Sequence, residues 1–271
     1  MEKLLSDLPA GQALLTQVRD FYGPSFKVEA IDTPGGASYF HIDTGGAGSQ
    51  ALRTAKIQLN LQSKRQRAAA IHELLHLCLP ARGYAFIDRI TPEAKHCARK
   101  EWITDVQSKI QNVVAHDCFL EEFLEAGLPL SEFVSPRLDF PKYEETAKSW
   151  RGIKLTPENE WYAQGWWAFE YFNNYISSEH GDLQARQLAE NAEKYAIRVL
   201  PNFADTAALI RDWVARKKHC SVGTYEEAMR ELLQLIFFPT VGFCLLEAAE
   251  GRPPNVLRLY AAQQPVLTAE P

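Results

Sequence analysis

The chain has 271 residues, of which 46% are hydrophobic and 23% are charged, and its formal net charge is −5. This composition is typical of a soluble globular protein with a substantial core, and the lack of a basic excess argues against nucleic acid as the main partner. No apolar run has the length of a signal peptide at the N-terminus or of a membrane span elsewhere, so we expect no membrane partner.

The cysteines indicate a reducing compartment. They are odd in number, scattered along the chain and never arranged as Cys-x-x-Cys, which favours buried, reduced thiols over a disulfide framework. We therefore expect a cytoplasmic protein. The five cysteines are Cys78, Cys97, Cys118, Cys220 and Cys244.

The first sixty residues have the pattern of a helix followed by a small sheet. Apolar residues at helical spacing predict a helix within residues 3–22, with an interruption near Pro9. Alternation of apolar and polar residues then predicts strands at 26–31, 37–43 and 55–61. We expect these three strands to form one sheet beside the next helix.

Residues 68–79 contain the motif His-Glu-x-x-His within a sequence that favours helix, because no glycine or proline interrupts it. On a helix, His72 and His76 project from one face a turn apart. Two imidazoles in this arrangement can bind one Zn²⁺ and leave room for a third ligand and a water. Glu73 follows the first ligand directly, where it can reach that water as general base.

The surroundings of the motif also favour a metal. The helix is apolar on nearly all sides, so it should be buried, and two histidines and a glutamate are costly to bury without partners. The alternative is an ordinary helix in which the four-letter pattern occurs by chance. The apolar neighbours of the motif are Ile71, Leu74, Leu75, Leu77 and Leu79.

A strand at 55–61 that leads directly into a His-Glu-x-x-His helix resembles the zincin metallopeptidases, in which such a strand borders the substrate cleft. The resemblance implies a zinc-dependent peptidase that hydrolyses a peptide bond in a peptide or protein, with Glu73 as the catalytic residue. The expectation of peptide substrates depends on this resemblance, because the same chemistry can hydrolyse other amides. The metzincin pattern does not match, because it needs glycine at position 79 and histidine at position 82, where this chain has Leu79 and Arg82.

The third zinc ligand is expected on the following helix, which we predict over residues 93–126. One candidate is Glu101, because a gluzincin-like pattern places a glutamate on a later helix with an aspartate four residues on, here Asp105. The ordinary interpretation of this pair is two solvated carboxylates on the polar face of a long helix.

The other candidate is His116, which lies beside the apolar stripe of the same predicted helix. Asn112 precedes it by one turn, and the segment is similar to the Asn-x-x-x-His helix of some bacterial and phage-associated His-Glu-x-x-His proteins. Asp117 continues the apolar stripe, where a carboxylate acceptor for a ligating imidazole would explain its position. The ordinary interpretation of His116 is a core histidine bonded to a carboxylate. We select His116 as the third ligand and keep Glu101, then Asp117, as alternatives.

The C-terminal half is predicted to be helical. Residues 160–171 are rich in aromatic side chains, which indicates core packing. The alternative is that this segment borders a substrate cleft, where Tyr162, Tyr171 or Tyr175 would stabilise the oxyanion formed during hydrolysis. Gln263 to the C-terminus is predicted to be a frayed tail. Turn signals between apolar segments predict helices at 157–179, 182–199, 203–218 and 224–250.

Together these patterns predict an α+β fold that is mostly helical, with a small N-terminal sheet beside the motif helix. We predict a metal-binding region at 1–128, a connecting loop at 129–156 and a helical region at 157–271 packed as one unit with the first. The alternative function is a helical interaction or regulatory module in which the motif is inert or its zinc is structural. Such a closed site would need a fourth ligand, for which Asp117 or Cys118 is available. The sequence does not predict an oligomeric state.

Overall fold

A computed structural model shows an α+β fold in which helices predominate, as predicted. The chain divides into two compact units, and neither is continuous in sequence. The first comprises residues 1–88, 115–137 and 249–256, and the second comprises residues 89–114, 138–248 and 257–271. The structure describes residues 1–32, 38–43, 54–91, 100–133, 143–153, 156–217, 221–237, 241–248 and 256–263.

The first unit contains a mixed three-stranded sheet with order β1-β3-β2, which confirms the three predicted strands. Strand β1 (Phe26–Ile31) is parallel to β3 (Thr54–Asn60), and β2 (Tyr39–Asp43) is antiparallel to β3. Alternate residues of β3 are buried, as the period of a half-buried strand requires. Strand β2 is thus an edge strand of this sheet.

Two helices complete the core around this sheet. Helix α1 (Pro9–Tyr22) begins where the sequence predicted an interruption, because proline is well suited to the first helical position. A 3₁₀ turn (Gly23–Ser25) follows and leads into β1. Helix α2 (Gln66–Ala81) carries the motif and is buried along nearly its whole length, as predicted.

Helix α1 lies very close to α2 at Gly11. A Cβ at this position would lie 2.8 Å from Ile71 Cδ1 and 3.3 Å from Leu5 Cδ2. We expect Gly11→Val to lower the free energy of unfolding by about 1–3 kcal/mol, because overpacking forces side chains out of their preferred rotamers. Thermal unfolding measures the effect. Ala13→Val is the matched control, because it adds a branched side chain to an exposed position of the same helix. Equal losses in both variants would contradict the close approach.

Helix α3 (Lys100–Glu125) falls within the predicted range 93–126 and contributes residues to both units. Its C-terminal part packs Phe119, Leu120 and Phe123 into the same hydrophobic core as α2. The short helix α4 (Leu130–Phe133) follows and adds Phe133 to that core. The core of the first unit therefore lies around the motif helix.

The second unit is built mainly from helices. The helices are α5 (Tyr143–Arg151), α6 (Pro157–Glu179), α7 (Leu183–Ala196), α8 (Phe203–Lys217) and α9 (Val222–Phe237).

The range 129–156, predicted as a loop, contains α4 and a further helix, α5, so this part of the prediction missed two short helices. No helix among the described residues has the length and hydrophobicity that crossing a lipid bilayer requires.

The prediction of helix over 224–250 is wrong for residues 241–248, and helix is confirmed only as far as Phe237. Helix α9 ends there, two residues before Pro239, because a proline disfavours helical geometry in the residue before it. Strand β5 (Val241–Ala248) follows and pairs antiparallel with β6 (Val256–Gln263). With β4 (Phe86–Thr91) these form a second sheet of order β4-β6-β5, which the sequence patterns did not predict. The predicted frayed tail lies outside the described residues beyond position 263.

Candidate metal centre

Two helices of the first unit bring three histidines together. Helix α2 presents His72 and His76 one turn apart, and the C-terminal part of α3 presents His116. Among the residues that the structure describes, these three form the one group of potential ligands close enough to hold a metal ion. Glu101, Asp117 and Cys118 are not part of this group.

The three Nε2 atoms form a nearly equilateral triangle. His116 Nε2 lies 3.0 Å from His72 Nε2 and 3.2 Å from His76 Nε2, and the two motif nitrogens are 3.3 Å apart. Tetrahedral zinc with bonds of about 2.0–2.1 Å separates its ligand atoms by about 3.3–3.4 Å. The spacing of the three nitrogens is therefore close to that of three ligands on one zinc ion.

Hydrogen bonding alone explains this convergence poorly. A neutral imidazole has one N–H and one acceptor nitrogen, and the donor direction at Nε2 is fixed in the plane of its ring. Each neutral Nε2 therefore offers either one N–H or one lone pair, and three such atoms cannot form three full hydrogen bonds with one another. A cation in the middle of the triangle would accept all three lone pairs. The donor set thus fits a metal.

Burial keeps the motif imidazoles neutral. It lowers the pKa of His72 to about 4. Burial also holds the pKa of His76 well below its usual value, and the neighbouring charges of His116 and His72 act in the same direction. Neutral imidazole is the form that binds metal, so neither ring needs to lose a proton at neutral pH.

Three phenylalanines surround the histidine rings. Phe40 of strand β2 stacks on His76, with ring centroids 4.5 Å apart and planes inclined by 20°. Phe119 meets the His76 ring edge-on at 4.8 Å, and Phe133 lies 5.1 Å from both His72 and His116. Close packing on these faces restricts rotation of the imidazoles, so the triangle is held by the core.

Glu73 lies on the same helix and is only 7% exposed. Burial raises the pKa of its carboxyl group to about 8, although a hydrogen bond from the backbone N–H of Phe40 acts in the opposite direction. The edge strand β2 therefore contacts both a ligand candidate, through the Phe40 ring, and the candidate general base, through the Phe40 backbone. The role of Phe40 at the site was not predicted from the sequence, in which this residue was only part of an alternating strand.

The carboxyl group of Glu73 should make the stability of the metal-free protein depend on pH. Because its folded pKa is raised from 4.5 to about 8, the folded state retains a proton that the unfolded state loses over this range. Stability should thus fall as pH rises towards 8, by as much as about 1.4 kcal/mol per pH unit. Glu73→Gln should remove this fall.

Urea unfolding in the presence of a chelator, between pH 6 and pH 9, measures this difference. The lowered pKa values of the histidines have the opposite effect, because they reduce stability as pH falls. This contribution cancels when the free energy of unfolding of the variant is subtracted from that of the wild type. Glu121→Gln is the matched control, because it neutralises an exposed carboxylate of the same unit. If the free energies of unfolding of wild type and Glu73→Gln differ by a constant amount across this range, the raised pKa of Glu73 is contradicted.

The remaining candidates take other positions. Glu101 is exposed in the first turn of α3, and Asp105 accepts a hydrogen bond from Lys109 at 2.7 Å on an exposed surface, as the ordinary interpretation of this pair expects. Asp117 is 9% exposed, and its role as an acceptor for a ligating imidazole stays a prediction.

The three tyrosines lie in the second unit. Tyr171 is buried there and its hydroxyl accepts a hydrogen bond from Arg211 at 2.8 Å, while its ring stacks with Tyr175. Tyr162 contacts the ring of Trp102. These contacts agree with the core packing expected for the aromatic segment.

Comparison with known proteins gives no family for this chain. No protein-family model, no curated protein and no solved structure matches it.

Proposed function

We propose that this protein is a zinc-dependent peptidase with His72, His76 and His116 as the metal ligands and Glu73 as the catalytic residue. One observation carries the proposal: three Nε2 atoms converge within 3.3 Å of one another, and the helix that supplies two of them also carries a buried glutamate. The expectation of zinc follows from this donor set, since imidazole nitrogens at tetrahedral spacing suit zinc.

The chain's own groups would carry the proton transfers. A bound zinc ion would supply polarisation of the scissile carbonyl and would acidify the attacking water. Glu73 would accept the proton of that water and pass it to the leaving amine. Its carboxylate would be ionised beside the cation, since a nearby positive charge opposes the effect of burial on its pKa. The Phe40 N–H would hold the carboxylate in one orientation.

The number of ligands supports hydrolysis over a purely structural site. A structural zinc needs four protein ligands, whereas a catalytic zinc uses three and leaves one position for water or substrate. The cluster within the described residues has three members, and neither Asp117 nor Cys118 belongs to it. This favours an enzyme over an interaction module with an inert metal.

The substrate class is the part of the proposal that depends on resemblance to zincins. A mixture of peptides from a digested proteome, incubated with the zinc-loaded protein and analysed by mass spectrometry, tests it without a known substrate. We expect new peptide termini that disappear when a chelator is added and return with zinc. Zinc bound by four protein ligands, seen by X-ray absorption together with no cleavage, would support the interaction module instead.

A further inference from the structure

A bidentate ion pair joins the two helices that supply the histidines. Arg82, at the C-terminal cap of α2, donates to both carboxylate oxygens of Glu122 on α3, at 2.6 and 2.8 Å. The two side chains are 31% and 34% exposed, so the pair is partly shielded from water. This geometry has a fixed orientation, because the planar guanidinium and carboxylate make two parallel hydrogen bonds.

The pair has a regular position relative to the ligands. Arg82 follows His76 by six residues, and Glu122 follows His116 by six residues. Six residues correspond to about 9 Å along a helix axis. The ion pair therefore lies about 1.7 turns beyond the converging imidazoles along each of the two helices.

A contact of fixed geometry that lies about 9 Å from the imidazoles along both helices restricts the angle at which the helices cross. We propose that the Arg82–Glu122 pair is a positioning contact of the zinc site, because it fixes the angle between α2 and α3 that brings His116 to the two motif histidines. This inference rests on the proposed zinc site and deepens it. The pair touches neither metal nor substrate and acts through the helices.

A third contact supports this role. Arg82 also donates to the side-chain carbonyl oxygen of Gln17 on helix α1, at 3.1 Å. The guanidinium is thereby held from two helices at once, α1 and α3, while its own backbone ends α2. An ordinary surface ion pair lacks such fixed geometry and contributes little to stability. The arrangement thus connects helices α1, α2 and α3.

The test compares zinc affinity and coordination geometry in variants of the pair. Glu122→Gln keeps the shape of the side chain and removes its charge, and Arg82→Lys keeps the charge and removes the bidentate geometry. The exchange Arg82→Glu with Glu122→Arg restores an ion pair, and the amide of Gln17 can then donate instead of accept. Arg67→Gln is the control, because Arg67 of α2 pairs with Asp7 at 2.9 Å on the exposed surface.

Two quantities are measured well below the unfolding temperature. Competition with a chromophoric chelator gives the zinc dissociation constant, and the visible spectrum of the Co²⁺-substituted protein reports the coordination geometry. We expect Glu122→Gln to weaken zinc binding about tenfold and to alter the Co²⁺ bands, because His116 would be placed less exactly relative to the two motif histidines. Arg82→Lys should have a smaller effect, the exchange should recover most of the affinity, and Arg67→Gln should match wild type.

Variants that lose thermal stability but keep wild-type zinc affinity and Co²⁺ spectrum would overturn this inference, since the pair would then serve stability alone. Wild-type protein that binds no zinc would overturn the proposed function and this inference together. The two failures are thus distinguished by the wild-type measurement. If the exchanged variant fails to fold, Glu122→Gln and Arg82→Lys still decide between the outcomes.

Discussion

Replacing Glu73 with glutamine is expected to slow peptide hydrolysis by orders of magnitude and to leave zinc bound. The amide has nearly the shape of the carboxyl group but cannot accept the proton of the attacking water, so the rate should fall by about 10²–10⁴. Zinc should remain, because the three histidines supply the ligands in our proposal. The same substitution separates the catalytic role of Glu73 from its role in the packing of α2.

Cleavage of the peptide mixture by equal amounts of zinc-loaded wild type and variant measures this effect, with zinc content determined on both samples. Glu121→Gln is the control, because it changes the same functional group at an exposed position of the first unit. Full activity in Glu73→Gln would contradict the mechanism even if zinc is present. Loss of zinc from that variant would instead show that Glu73 supports the site structurally.

Removing the metal is expected to destabilise the protein. Zinc that binds the folded chain and not the unfolded chain adds about 4 kcal/mol of stability at a free concentration 1,000 times its dissociation constant. The unfolding temperature should therefore fall when a chelator is added and recover with zinc. In His72→Ala the unfolding temperature should no longer respond to zinc, because one corner of the ligand triangle is lost.

Thermal unfolding with chelator or with added zinc, followed by circular dichroism, provides the measurement. His41→Ala is the matched control, because His41 is an exposed histidine of β2 outside the ligand group. Its response to zinc should equal that of the wild type. An equal response to zinc in His72→Ala would contradict the assigned ligands.

The parts of the fold that depend on local patterns were predictable from the sequence. The apolar surroundings of His72 and His76 predicted a buried helix, and α2 is buried. Alternation predicted the three strands of the first sheet, because each strand has one face towards the core. The position of His116 beside an apolar stripe predicted that it would face the motif helix, and the structure brings its Nε2 within 3.2 Å of both motif nitrogens.

The remaining features depend on contacts between residues far apart in sequence. Strand β4 joins a sheet with β6, more than 150 residues later, and no local period reports such pairing. The same limit applies to the division into two discontinuous units. Near the site, the hydrogen bond from the Phe40 backbone to Glu73 was not predictable, because it depends on the edge of the sheet meeting the helix.

The most direct test of the zinc site is the zinc content per chain, measured by elemental analysis on wild type, His116→Ala and Glu101→Ala. We predict close to one zinc ion per chain in wild type and in Glu101→Ala, and far less in His116→Ala. Equal zinc in all three would move the third ligand elsewhere, and loss only in Glu101→Ala would assign it to Glu101. No zinc in any of them, even after reconstitution, would contradict the metal centre and the enzyme that we propose.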